Sequence, residues 1–146
     1  MTRVERTLII ILAALCVAVL AGTVYAFMND IPARKAARLG VPAEEARDGI
    51  YEGIGRIRAR TADGAAAIVT IVFPYDEKNG PFKEELASKR TKLRALAVEF
   101  FSSRTGSELS PLLESSIKAS LRDMFNAELL LGKVDALYFA DFQVVP

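Results

Sequence analysis

Two serine pairs, Ser102-Ser103 and Ser115-Ser116, with Ser107 between them, and two glutamate pairs, Glu44-Glu45 and Glu84-Glu85, are the side chains whose types suit acyl or proton transfer. A serine nucleophile needs a base within hydrogen-bond reach, and the chain of 146 residues has no histidine. No Ser-x-x-Lys nucleophile pairing is read with Lys118 or Lys89. Neighbouring glutamates on a helix point about 100° apart, so neither pair meets at one proton as a carboxylate dyad does. Tryptophan is also absent and Cys16 is the only cysteine, which leaves zinc fingers, Cys/His dyads and an internal disulfide without residues. The expectation is a protein that binds, with no catalytic residue, no metal site and no cofactor.

Gly49, Gly53 and Gly55 lack the Gly-x-Gly-x-x-Gly spacing of a phosphate loop and lead into a strand where such a loop opens a helix. They read as a bulge or a close backbone approach. Arg56, Arg58 and Arg60 fall on one face of that strand, and two readings stand side by side. They grip an acidic partner or a neighbouring copy of the domain, or they form a solvated sheet face with Glu and Asp opposite. Asn126 reads as a cap for a backbone group, and Tyr138, Phe139 and Phe142 as core packing.

The elements that carry these residues follow from periodicity. Residues 49–60 alternate, residues 61–64 (Thr-Ala-Asp-Gly) are turn chemistry, and residues 65–74 are apolar on both faces, which predicts a hairpin with a central second strand. Phe82, Leu86, Leu93, Leu96, Ala97 and Phe100 recur at helical spacing after the breaker at residues 76–81. Ser110 as N-cap with Pro111 behind it opens a second helix through Leu113, Ile117, Leu121, Met124 and Phe125, closed by Gly132. Residues 134–145, β-branched and aromatic, predict a terminal strand.

Ahead of this α+β domain, residues 8–28 carry no charge and span roughly 31 Å as a helix, the thickness of a bilayer core. An anchor is favoured over a cleaved signal, because the uncharged run outlasts the Val24-Tyr25-Ala26 cleavage-like site; the alternative is a mature chain beginning near Phe27. Arg3 and Arg6 face Arg34, Lys35 and Arg38 across it, so basic residues barely orient it. The short front suggests residues 1–7 as a cytoplasmic tail, residues 29–48 as an external linker and residues 49–146 as the folded domain. From Asn29 onward Lys and Arg equal Asp and Glu in number, which argues against nucleic-acid binding.

This layout, with the run from Leu121 to Asn126, then Leu129-Leu130-Leu131-Gly132-Lys133-Val134, then Leu137-Tyr138-Phe139-Ala140-Asp141-Phe142, resembles the FliL family of flagellar basal-body proteins. The end departs from the family, with Gln143-Val144-Val145-Pro146 where Phe-Val-Ile-Gln is common, and so does the Gly53-Ile54-Gly55-Arg56 start. The resemblance implies a bacterial inner-membrane protein, single-pass, with a periplasmic domain of the stomatin/prohibitin (SPFH) type. It implies assembly as a homo-oligomeric ring around the MotA/MotB-type stator proteins of the motor, supporting stator activity and torque in swimming motility without catalysis. Under it the linker, with Pro32, Arg34, Lys35 and Arg38, is the stator contact, and Arg56, Arg58 and Arg60 are the candidate oligomer interface. The alternative is a general stomatin-like membrane scaffold for another inner-membrane complex.

Overall fold

The computed structural model describes residues 3–146, apart from the side chains at positions 3–5, 29 and 47; Met1 and Thr2 of the expected tail lie outside the described residues. The chain divides into two units, Met1–Lys35 and Ala36–Pro146.

The first unit is helical. Helix α1, Arg3–Leu39, contains the apolar run and is long and apolar enough to cross a membrane. The expected linker differs from what is found: α1 continues through Pro32 to Leu39. Ala33, Arg34, Lys35, Ala36, Ala37, Arg38 and Leu39 are all strong helix formers, and their summed preference carries the helix past the proline.

The second unit opens with the last turn of α1, which ends in a Schellman turn: Gly40 sits at φ +66° and the Val41 amide donates to the Ala36 carbonyl at 3.0 Å. The strands are β1 (Ile50–Tyr51), β2 (Arg56–Arg60), β3 (Ala66–Pro74) and β4 (Tyr138–Val145), with helices α2 (Gly80–Ser102) and α3 (Glu114–Glu128) between β3 and β4. β3 is central and pairs antiparallel with all three others. The expected hairpin is thus present as β2 and β3, but the single strand expected over residues 49–60 is broken. Residues 52–55 leave the ladder in a turn closed by the Gly55 amide on the Glu52 carbonyl, with Gly55 at φ +69°. That break turns Ile54, which unbroken alternation would put on the arginine face, fully into the core.

Alternation on β3 separates two faces. Ala67, Val69, Ile71 and Phe73 pack with Ile57 and Ala59 of β2 against Phe82, Leu86, Leu93, Ala97 and Phe101 of α2 and Ile117, Leu121 and Phe125 of α3. The opposite face is covered only in part. There Val72 packs with Ala36, Val41 and Ala46, flanked by Leu39, Ile50 and Tyr138. Residues 36–48, read from the sequence as a spacer, are therefore part of the folded unit.

The helix ends hold local surprises. Asn79, inside the expected breaker, caps α2 by accepting from the Phe82 amide at 3.2 Å. Ser110 accepts from the Leu112 amide at 3.4 Å and opens a short 3-10 turn, Pro111–Leu113, before α3. Gly132 does not cap α3, whose C-cap is Leu129. Gly132 is small because the Phe82 ring lies over it, so that a Cβ there would come within 2.5 Å of ring carbons. Gly132→Ala is expected to cost about 1–3 kcal/mol of stability through forced repacking of Phe82. Chemical denaturation of the two proteins measures it, and an unchanged midpoint would mean that the ring yields freely.

Candidate interaction surface

The face of the sheet away from α2 and α3 has three cross-strand rows beyond the reach of residues 36–48. Register places Arg56, Thr70 and Asp141 in one row, Arg58, Ile68 and Gln143 in the next, and Arg60, Ala66 and Val145 in the last. All three arginines are exposed, alternating with buried Ile57 and Ala59. Arg56 is matched across β3 by Asp141, guanidinium to carboxylate at 3.1 Å. Among the described residues no ion pair engages Arg58 or Arg60. One strand thus presents an acidic residue opposite its first arginine and, among the described residues, no ion-pair partner at the other two.

β2 is held in place by α2. The Arg94 guanidinium donates to the Arg56 carbonyl at 2.8 Å and to the Ile54 carbonyl, tying the turn at residues 52–55 and the start of β2 to the helix. The arginine row therefore projects from a fixed backbone.

At the far end of β3 an open cleft of about 570 Å³ is lined by Glu45, Asp48, Pro74, Asp76 and Asp135. Glu45 accepts from the Tyr138 hydroxyl at 2.6 Å, and Asp76 from the Lys78 amide at 2.9 Å. Burial, then the Glu45 carboxylate, push the Tyr138 hydroxyl up to about 12, so the tyrosine remains a donor at physiological pH.

The glutamate and serine pairs separate in role. Glu44 is exposed, and its neighbour Glu45 ties residues 36–48 to β4 through Tyr138. Glu84 is exposed, whereas Glu85 is buried and organises the loop after α3. Its carboxylate accepts from the Leu130 and Leu131 amides, each at 2.8 Å, and from Lys89 Nζ at 2.7 Å. Burial pushes this carboxyl up, but the Lys89 hydrogen bond and the two amides outweigh it and hold it below its ordinary range. Ser115 requires a correction, because it does stand three residues before Lys118 in Ser-x-x-Lys spacing. Lys118 is engaged elsewhere: it forms an ion pair with Glu114, and its Nζ lies 5.2 Å from the Phe139 ring centroid.

Asn126 is a two-point clamp, its Nδ2 donating to the Val134 carbonyl at 2.9 Å and its Oδ1 accepting from the Val134 amide at 2.7 Å. Leu129, Val134 and Leu137 are buried around it. The helix, turn and strand that carry the family resemblance are therefore one packed unit. Of the four residues assigned to a stator contact, Pro32, Arg34 and Lys35 lie within α1 and Arg38 in its last turn. Arg34 pairs with Asp30 at 3.7 Å on an exposed surface, an interaction that contributes little to stability.

No family model matches the chain. It is similar to a protein named flagellar protein FliL from Treponema pallidum (strain Nichols), with 30% identity over 98 residues, covering 65% of this chain and 54% of that protein. It is similar also to a protein of the same name from Borreliella burgdorferi, with 30% identity over 96 residues, covering 64% of this chain and 53% of that protein. The chain spans about half the length of these curated relatives. Two relatives of one name agree with the resemblance to the FliL family carried by residues 121–142.

Proposed function

We propose that this protein is a membrane-anchored, non-catalytic accessory of the bacterial flagellum, which self-associates through its folded unit and supports the stator units that drive the motor. The similarity to two proteins named for the flagellum carries the reading. α1 supplies the anchor, crossing the inner membrane once with residues 36–146 on the periplasmic side at the basal body. The two-layer α+β unit serves as an SPFH/stomatin-like scaffold. Its exposed row of Arg56, Arg58 and Arg60 fits an interface between copies, and Pro32, Arg34, Lys35 and Arg38 are the segment that meets the stator. Such a tethered contact acts at effective concentrations in the millimolar range, enough to retain a neighbour through weak bonds.

Extraction of the full-length protein from its native membrane in mild detergent, followed by mass spectrometry of what co-purifies, tests this. Stator and basal-body proteins are the expected companions. Enrichment of an unrelated inner-membrane complex, with no flagellar protein, would replace the reading with that of a general stomatin-like scaffold.

A further inference from the structure

The bare arginines and the acidic cleft occupy opposite ends of one strand. Arg60 stands opposite Ala66, the first residue of β3, while the cleft is built around Pro74, its last. Eight residues of extended chain separate those ends by roughly 27 Å at about 3.4 Å per residue, several times the length of an arginine side chain. Arg58, opposite Ile68, is six residues from the same end. No arginine of the row reaches the cleft of its own molecule, and among the described residues none of Glu45, Asp48, Asp76 and Asp135 has a cationic side chain as ion-pair partner.

We propose that Arg58 and Arg60 of one copy seat in the acidic cleft of the next, with Asp76 and Asp135 as their principal partners, so that folded units associate head to tail. The occupant of the uncovered sheet face is thus a second copy of this chain. The arginine face supplies two guanidiniums whose planar forks suit carboxylates, held on a backbone that Arg94 fixes. The cleft supplies carboxylates beside a rigid proline-bearing strand end, open enough at about 570 Å³ to admit side chains. Because the two surfaces differ, the contact is heterologous: the growing assembly keeps one free arginine face at one end and one free cleft at the other, and addition continues until a ring closes. Ile68 and Ala66, between the arginines and β4, provide the apolar floor that such a contact covers.

The proposal rests on the self-association proposed above, and one experiment separates the two. The full-length chain in mild detergent is sedimented over a range of protein and salt concentrations, beside three variants: Arg58→Glu/Arg60→Glu, Asp76→Lys/Asp135→Lys, and the four substitutions together. Each charge reversal is expected to weaken association at least tenfold, and the combined variant to regain it, since the swapped charges again match. Added salt is expected to weaken the wild type and the combined variant alike. Arg58→Gln/Arg60→Gln, checked by circular dichroism for an intact fold, guards against a reversal that merely misfolds; it too is expected to associate more weakly. Wild type that associates while both reversals leave the distribution unchanged would overturn this interface and leave self-association standing. Reversals that dissociate the protein without recovery in the combined variant would also overturn it, because the two charge sets would not face one another. A wild type that stays monomeric throughout would overturn both readings.

Discussion

Replacing Phe101 with alanine is expected to remove about 3–5 kcal/mol of stability from the folded unit, the range for emptying a buried aromatic site. Phe101 is fully buried at the end of α2, with ring centroids 5.4 Å from Phe100, 6.4 Å from Phe139 and 6.2 Å from Phe142. It is the point where the helical layer grips β4, whose two phenylalanines are themselves 5.1 Å apart. A unit of this size has about 5–15 kcal/mol in total, so the loss is a large fraction of all there is, and the melting temperature should fall on the order of 15–25 °C. Phe101→Leu retains most of the apolar transfer and forfeits mainly the ring geometry, worth about 0.5–1.5 kcal/mol per aromatic pair. Leu112→Ala, at a side chain 92% exposed, is the control that should leave the melt unchanged. Thermal melts of the three variants check this. A Phe101→Ala loss no larger than that of Leu112→Ala would mean that β4 is held by its ladder to β3 alone. The consequence reaches the outer face, because Asp141, the partner of Arg56, is carried by β4.

What could be read from the residues alone was whatever repeats at a fixed period. The alternation of Arg56, Ile57, Arg58, Ala59 and Arg60 and the helical recurrence of Phe82, Leu86, Leu93 and Ala97 are local signals, and the elements they predict are present. Leu96, counted on the same stripe, is only half-buried, since it lies a turn edge away from Leu93 and Ala97. The segment at residues 29–48 misled for a physical reason. Proline and glycine read locally as breaks, whereas Pro32 is carried by the strong helix formers behind it and Gly40 is the stop signal of that same helix. Ala36, Val41 and Ala46 are buried by contact with Val72, about thirty residues along the chain, and three isolated small residues make no periodic pattern.

The candidate surface was half visible in the same way. Which arginines share a face follows from period 2, but that Asp141 answers Arg56 and leaves Arg58 and Arg60 bare depends on strand register across the sheet. The acidic cleft gathers residues from the segment before β1, the end of β3 and the stretch before β4. Only the fold brings these together. Glu85 was the least legible. As the second of two adjacent glutamates it resembles a solvent pair, and its amide partners lie 45 and 46 residues away.

Loss of the Glu85 carboxylate is expected to cost about 2–4 kcal/mol in Glu85→Ala, because two amides and one ammonium lose their common acceptor while still shielded from water. Lys89 is only partly exposed, and Nζ is held besides by the Glu128 carbonyl, so the stranded charge has little freedom to turn outward. Glu85→Gln separates hydrogen bonding from charge: its amide oxygen still accepts one main-chain bond but no longer balances Lys89, and an intermediate loss is expected. The pH dependence follows from the direction of the shift. The folded carboxyl is held below its ordinary value near 4.5, so its stabilisation is complete above that value and is lost as pH falls from there through the folded value. The stability gap between wild type and Glu85→Gln should therefore be widest near neutral pH and close on acidification below about pH 4.5. Urea denaturation at several pH values measures that gap, with Lys89→Met added to complete a double-mutant cycle. A gap that stays constant from pH 7 to pH 3 would mean that the carboxylate charge contributes nothing and that Glu85 acts through packing. A closing gap would make this one side chain the fastener of the Leu130-Leu131 loop to α2, next to the segment on which the family resemblance rests.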